Sequence, residues 1–250
     1  MINKVIEIAK EASSEILKIY HSDSFDIELK KDDSPVTRAD LISNTIIIKG
    51  LKKISNYPII TEESPVDYKV RKNWTKYWLV DPLDGTKDFI KKNGGFTINI
   101  ALIENTKPII GVVLIPVSGD VYYAELGKGS YKNDKKIFNN SKRDDLIAAD
   151  SIHHSTNEVK SFFKKYNISK VLKLGSSIKI CKLAEGEIDV YPRLNGTKEW
   201  DTAACHIIAN EAGCRLVDIN TKQELIYNKK DIRNNHFIAM RNNLNFIQIL

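Results

Sequence analysis

An apolar run that halts at a pair of carboxylates constrains this chain more than any other feature. Trp78-Leu79-Val80 leads directly into Asp81-Pro82-Leu83-Asp84-Gly85-Thr86-Lys87-Asp88-Phe89. The run reads as a buried strand that delivers two acids to one tight loop, where a glycine lets the backbone approach something bound there. Acidic oxygens recur at two other places. Glu62-Glu63 follows the apolar pair Ile59-Ile60, and Asp201 lies in Trp200-Asp201-Thr202-Ala203-Ala204, where a helical pattern opens. No cysteine or histidine stands at metal-ligand spacing around them. A donor set made only of oxygens suits a hard cation, magnesium rather than zinc.

Composition narrows the function classes. At 250 residues the chain is long enough for one large core or a single domain with two lobes. The net charge of +6 invites a nucleic-acid reading, but lysine is spread evenly and the clusters Lys135-Lys136 and Lys229-Lys230 are short. The charge fits small anionic molecules better than a nucleic acid polymer. No segment approaches the roughly 18 apolar residues of a membrane span. The first residues form an amphipathic pattern interrupted by Glu7, Lys10 and Glu11, which argues against a signal peptide. Cys181, Cys205 and Cys214 are odd in number and contain no C-x-x-C pair, so a reducing cytoplasm is the expected compartment.

Periodicity gives the order of elements. Val5, Ile8, Ala9, Ala12, Ile16 and Ile19 follow a 3.6-residue period and predict a first helix. Phe25, Ile27 and Leu29 alternate as a short strand does. Thr37 and Asp40 have capping-box spacing for a second helix, whose inward stripe is expected at Leu41, Thr45, Ile48 and Leu51, with a stop near Gly50. From Phe96 the period changes to two. The segments 96–102, 109–115 and 121–126, joined by short polar turns, read as an antiparallel meander. Beyond residue 146 strands (146–149, 171–174, 188–191, 215–217, 237–240) alternate with helices (158–166, 177–185, 202–212). The polar stretch 132–145 is the expected junction between a lobe of residues 1–135 and a lobe of residues 146–250, together one catalytic domain.

Glu-Glu at 62–63, Asp-Pro-Leu-Asp-Gly-Thr at 81–86 and Trp-Asp-Thr-Ala-Ala at 200–204, in that order, resemble the signature of the inositol monophosphatase superfamily. These are magnesium-dependent, lithium-sensitive phosphatases. Within it, Ser34-Pro35-Val36-Thr37 ahead of Asp40, Tyr77-Trp78-Leu79-Val80 before the acidic loop, the segment 94–102 and the segment 175–194 resemble the 3′(2′),5′-bisphosphate nucleotidase branch, an enzyme group of sulfur metabolism. The resemblance implies an α/β (α+β layered) fold, an alternating αβαβα sandwich with an antiparallel sheet in the N-terminal lobe and an α/β C-terminal lobe.

It also implies a ligand set for two or three Mg²⁺ ions: Glu62, Asp81, the carbonyl of Leu83, Asp84 and Asp201. Asp81, at the strand end, suits a bridging position between ions roughly 4 Å apart. Asp40 paired with Thr86 would orient a water acidified by the cation, with Glu62 helping to order it, for direct hydrolysis without a phosphoenzyme. Backbone N–H groups of Gly85 and Thr86, at the start of a short helix, would hold phosphate oxygens. Ser176, Ser177, Lys179 and Arg193 would address the adenosine portion and a second phosphate, and His154 would stack near the base. Where relatives carry an arginine ahead of that histidine, this chain has Ile152. Glu63 is placed behind the ligands, His153, His206 and His236 are read as structural or exposed, and Cys205 and Cys214 as core.

Each acid also has an ordinary reading. Asp40 completes a capping box, Asp201 is a helix N-cap, Asp84-Gly85 is a turn, and Glu62-Glu63 is a solvated pair. Their co-occurrence in one order favours the site. The expected reaction is hydrolysis of adenosine 3′,5′-bisphosphate to AMP and phosphate. The alternatives are an inositol or sugar phosphatase with the same metals, and a nucleotide sensor without turnover. Monomer and homodimer both stay open, as does peripheral contact with a membrane's inner face.

Overall fold

The structure, a computed structural model, describes residues 1–22, 28, 29 and 35–246. Helix α1 (Ile2–Tyr20) buries Val5, Ile8, Ala9, Ala12 and Ile16 along one face, as the period predicts. Strands β1 (Glu28–Leu29) and β2 (Pro35–Val36) pair antiparallel. Of the strand expected around Phe25, Ile27 and Leu29, the first two residues lie outside the described residues, as does Ser34.

Helix α2 (Arg38–Ile54) starts at Thr37 with the expected capping box, but its inward stripe is out of phase with expectation. The buried residues are Ala39, Asp40, Ser43, Asn44, Ile47 and Leu51, whereas Leu41 is 48% exposed and Thr45 is exposed. The cause is chemical. The inner face is polar at its N-terminal end, where the Ser43 hydroxyl donates to the Pro82 carbonyl (2.7 Å), so hydropathy misplaced it. The helix also runs through Gly50 to Ile54. A Cβ at Gly50 would sit 2.6 Å from Ile8 Cγ1, so the glycine permits a close crossing with α1 rather than a stop.

The first sheet has seven strands in simple order: β3 (Ile59–Thr61), β4 (Lys76–Asp84), β5 (Thr97–Glu104), β6 (Lys107–Ile115), β7 (Asp120–Glu125), β8 (Ser130–Lys132) and β9 (Lys135–Ile137). All neighbours are antiparallel except β3 and β4, which run parallel because the chain crosses over through α3 (Tyr68–Arg71). A five-residue helix, α4 (Thr86–Ile90), follows β4. Asn105-Thr106 and Asn133-Asp134 close two of the hairpins with positive φ at both central residues, the geometry that matches strand twist.

The second half begins with β10 (Ile147–Ser151), α5 (Asn157–Lys165), β11 (Lys170–Leu174), α6 (Ile178–Ala184) and β12 (Val190–Arg193). It continues with β13 (Thr197–Lys198), α7 (Glu199–Glu211), β14 (Cys214–Asp218), β15 (Arg233–Asn234) and β16 (Phe237–Arg241). Five strands form a mixed sheet in the order β11-β10-β12-β16-β14, while β13 and β15 form a small ribbon.

Alternation within the long strands builds the layers. Trp78, Val80, Ile98, Ile100, Val112 and Leu114 pack under α1 and α2. Tyr77, Leu79, Ala101, Ile103 and Val113 face the other way, onto α6 and α7 and, through them, onto the five-stranded sheet. That sheet's far face, with Ala148, Val190, Val217 and Ile238, is covered by Val159, Phe162 and Phe163 of α5. Two helices, seven strands, two helices, five strands and one helix make the expected αβαβα sandwich. No helix among the described residues is long and apolar enough to cross a membrane.

Candidate metal and phosphate site

Both sheets and α7 contribute to one cleft of about 490 Å³, lined by Glu62, Asp81, Leu83, Asp84, Gly85, Thr86, His154, Ser176, Ser177, Lys179, Arg193 and Asp201. All the residues expected to touch metal or substrate therefore share one space. Glu62, Asp81 and Asp201 each place a carboxylate oxygen within 4.8 Å of the other two. Glu62 leaves the end of β3, where its N–H donates to the Val80 carbonyl (3.1 Å) and holds it beside β4. Asp81 sits on β4 itself, 1% exposed, and accepts from the Leu83 N–H (3.1 Å). Asp201 comes from the first turn of α7. Its Oδ2 accepts from the Lys198 N–H (2.8 Å), so it is the capping partner three residues inside the helix and not the N-cap. That is why α7 begins at Glu199, ahead of the expected Thr202.

Asp84 stands beside this trio but is turned toward the second half of the chain. It accepts from the Ser176 hydroxyl (2.5 Å), the Ser177 N–H (3.0 Å) and, more weakly, the Asn99 amide (3.4 Å). Gly85, at φ 97°, makes the turn between Asp84 and α4 in the left-handed region that favours glycine.

Asp40 has both of its expected partners. Oδ2 accepts from the Thr37 N–H (2.8 Å) and hydroxyl (2.6 Å), completing the capping box. Oδ1 accepts from the Thr86 hydroxyl (3.1 Å), 46 residues away. The ordinary reading of Asp40 and the catalytic one describe the two oxygens of one carboxylate.

Burial and like charge set the electrostatics. Burial first, then Glu62, Asp84, Asp201 and Asp40, push Asp81 well above the usual carboxylate range. Asp84 is raised chiefly by burial, against the opposing pull of Ser176 and Lys179. Asp201 is pushed up to about 8 by burial, Asp84 and Glu62. Buried carboxylates aimed at one another without a cation among them are costly. The donors are all oxygens, so the residues present fit a hard divalent ion, as the sequence led us to expect.

The sign of the pH dependence follows. A folded Asp201 that titrates at about 8, against an ordinary value of 3.8, holds a proton that the unfolded chain has already lost. Metal-free stability therefore falls as pH rises toward 8. His154, held down at about 4 by burial and by Arg193, Lys87, His153 and Lys179, works the opposite way below its ordinary 6.5. The decline is thus cleanest between pH 6.5 and 8. Thermal unfolding in EDTA should give a lower Tm at pH 8 than at pH 6.5, with Mg²⁺ removing the difference; a Tm that rises over that range contradicts this account.

Basic side chains also line the cleft, Lys179 and Arg193 among them. Arg193 is 8% exposed; one terminal nitrogen donates to the Gly196 carbonyl (3.2 Å), while Nε is buried with no hydrogen-bond partner among the described residues. Lys179 is buried over the Tyr191 ring and donates to the carbonyls of Leu174 (3.1 Å) and Ser176 (2.6 Å). Burial, with Arg193 adding, lowers it to about 8. Lys179 therefore braces the turn whose N–H and hydroxyl hold Asp84. Ser177 points its hydroxyl at Asn99 (2.7 Å) and Thr97 (2.9 Å).

Several residues in and behind the cleft walls were not expected from the sequence. Thr97 and Asn99 lie on β5 facing the second half of the chain, and their alternation with Ile98 and Ile100 was the available signal. His153 meets Asp88 of α4 at 2.6 Å, and nothing in the sequence joined those two positions. His206 is buried between Tyr227 (2.9 Å) and Glu224 (2.5 Å), His236 is exposed, and all three cysteines are buried.

Comparison with known proteins finds relatives along most of the chain. A 3′(2′),5′-bisphosphate nucleotidase CysQ from Salmonella typhimurium is 42% identical over 224 residues, covering 87% of this chain and 90% of that protein. Its counterpart from Escherichia coli (strain K12) is 41% identical with the same coverage. The crystal structure of CysQ from Bacteroides thetaiotaomicron, described as a bacterial member of the inositol monophosphatase family, superposes with a TM-score of 0.87 at 38% identity, covering 97% of each chain. The sequence profile of that same family matches residues 1–247, and this chain belongs to the inositol monophosphatase family.

Proposed function

We propose that this chain is a 3′(2′),5′-bisphosphate nucleotidase that hydrolyses adenosine 3′,5′-bisphosphate to AMP and phosphate. The observation that carries the reading is one cleft lined both by an acidic cluster (Glu62, Asp81, Asp84, Asp201) and by the Arg193 guanidinium, with Lys179 bracing the turn that holds Asp84. A substrate with two separated phosphates matches both, one through cations and one through Arg193. The identity to the CysQ nucleotidases supports the same choice.

Glu62, Asp81, Asp84, Asp201 and the Leu83 carbonyl would hold two or three Mg²⁺ ions. Bound there, such ions neutralise a phosphoryl group and lower the pKa of water. The chain's own part is orientation. The Thr86 hydroxyl donates its hydrogen bond to Asp40 Oδ1, which would leave its oxygen lone pairs to accept from the attacking water. Asp40 is fixed by Thr37, so this acceptor is set in advance. The start of α4, at Gly85 and Thr86, addresses the phosphate being cleaved.

The Arg193 guanidinium, which lines the cleft, would be the cation that meets the second phosphate. His154, kept neutral by burial and by its cationic neighbours, would face the base. We read residues 1–135 and 146–250 as two lobes of one catalytic unit, and a cytoplasmic location accords with three buried free thiols.

The test is phosphate release from adenosine 3′,5′-bisphosphate against inositol 1-phosphate, with and without Mg²⁺. Strong preference for the inositol ester would move the assignment to the other branch of the family. Arg193→Ala should lower kcat/KM for the bisphosphate about 100-fold, as loss of a buried charged contact does, and leave a simple monophosphate within about three-fold. Equal losses on both substrates would remove Arg193 from the second-phosphate role.

A further inference from the structure

Asp201 reaches the acidic cluster from a helix, whereas Glu62, Asp81 and Asp84 arrive on the seven-stranded sheet. Contacts that join these two sources also lie outside the cleft. The segment 227–234 wraps the first turn of α7. Glu199, 1% exposed and two residues before Asp201, accepts from the Asn228 N–H (2.8 Å), the Lys229 N–H (3.0 Å) and the Lys229 ammonium (2.7 Å). On the other side the Asn234 amide donates to the Lys198 carbonyl (2.9 Å) and the Thr202 hydroxyl (3.0 Å).

The same segment is tied to the first sheet. The Asn228 amide donates to the Arg71 carbonyl (2.9 Å), and its oxygen accepts from the Arg71 guanidinium (2.7 Å). Arg71 also donates to the Lys230 carbonyl (3.4 Å) and back to the Val66 carbonyl (3.1 Å), in the turn that follows Glu62. The Tyr227 N–H donates to the Thr106 carbonyl (3.0 Å) at the β5–β6 turn. Asn228 itself has φ 71°, a conformation that side-chain-bearing residues adopt at a cost and asparagine most readily.

We propose that Asn228, clasped by Arg71, is a positioning residue that sets where Asp201 stands relative to Glu62 and Asp81. Its backbone N–H holds Glu199 and its side chain holds the β3–β4 crossover, so one residue bridges both sources of acids. The inference rests on the metal reading of the cluster proposed above. Glu199 belongs to this brace: although it is adjacent in sequence to Trp200-Asp201, the Lys229 ammonium and two N–H groups keep it turned from the cluster.

Asn228→Gly separates the two functions of the residue, since glycine keeps the left-handed backbone and its N–H while the amide is lost. Arg71→Lys keeps the charge and loses the planar fork that reaches three acceptors. Calorimetric titration of Mg²⁺ into the metal-free full-length protein, without substrate, reads the effect directly. Each variant should bind Mg²⁺ about ten-fold more weakly than the wild type, the scale seen when groups behind metal ligands are removed. At saturating Mg²⁺ kcat should return to within about three-fold, as expected if the lost contact acts on ligand placement and not on the reacting atoms. A merely structural role would lower the metal-free Tm and leave the Mg²⁺ Kd unchanged, and that result overturns the proposal. A wild-type protein that takes up no Mg²⁺ would instead overturn the metal reading on which it rests.

Discussion

Asp81→Asn is expected to lower phosphate release by about 1,000-fold, the upper range for losing one preorganised electrostatic contact, and at the same time to make the metal-free protein more stable. Asparagine keeps the shape and retains an oxygen for the Leu83 N–H. Its amide supplies donors to neighbouring carboxylates that now repel one another. Each kcal/mol of repulsion relieved should raise Tm by about 2–4 °C in a domain of this size. The added stability given by Mg²⁺ to the wild type should shrink in the variant. Paired melting curves with EDTA and with Mg²⁺ check this. A variant that loses both activity and metal-free stability would show Asp81 to be an ordinary structural residue.

The second large effect concerns Asp40, whose two oxygens have separable tasks. Thr86→Val removes the partner of Oδ1 and should cut kcat by about 100-fold, the lower range for general acid–base groups, with little change in Tm. Thr37→Ala removes the side chain that Oδ2 accepts from; it should cost about 1 kcal/mol as a lost helix cap and spare most of the activity. Asp40→Ala should show both losses together. Initial rates and urea midpoints across the three variants give the comparison. If Thr86→Val retained full kcat, the orienting role assigned to the pair would fall.

The acids were legible because each stands at a break in a plain hydropathy pattern. Glu62 follows an apolar pair, Asp81 is the first charge after an apolar run, although β4 continues through it to Asp84, and Asp201 sits in the first turn of a periodic helix. The layers were legible too, since β4, β5 and β6 are apolar on both faces and need cover on each. The phase of α2 was not, because its inner face near the cleft is built from Asp40, Ser43 and Asn44, so hydropathy pointed to Leu41. The hydrogen bonds of Asp84 were equally hidden. They come from Ser176 and Ser177, about ninety residues on, and depend on how two sheets dock. Arg71, Asn228 and the Asp88–His153 contact share that origin, since no local pattern marks a bond between segments 65 or 157 residues apart.

The acids in and just behind the cleft are drawn from positions 40, 62, 81, 84 and 201, so most of the polypeptide separates the first from the last. A nascent chain emerging from the ribosome would carry the early ones long before the helix bearing the final one exists. On the metal reading, chelation would become feasible only when the last helix seats between the sheets. Ion uptake would mark the closing event of maturation, and a half-made product would have little means of attacking cellular esters.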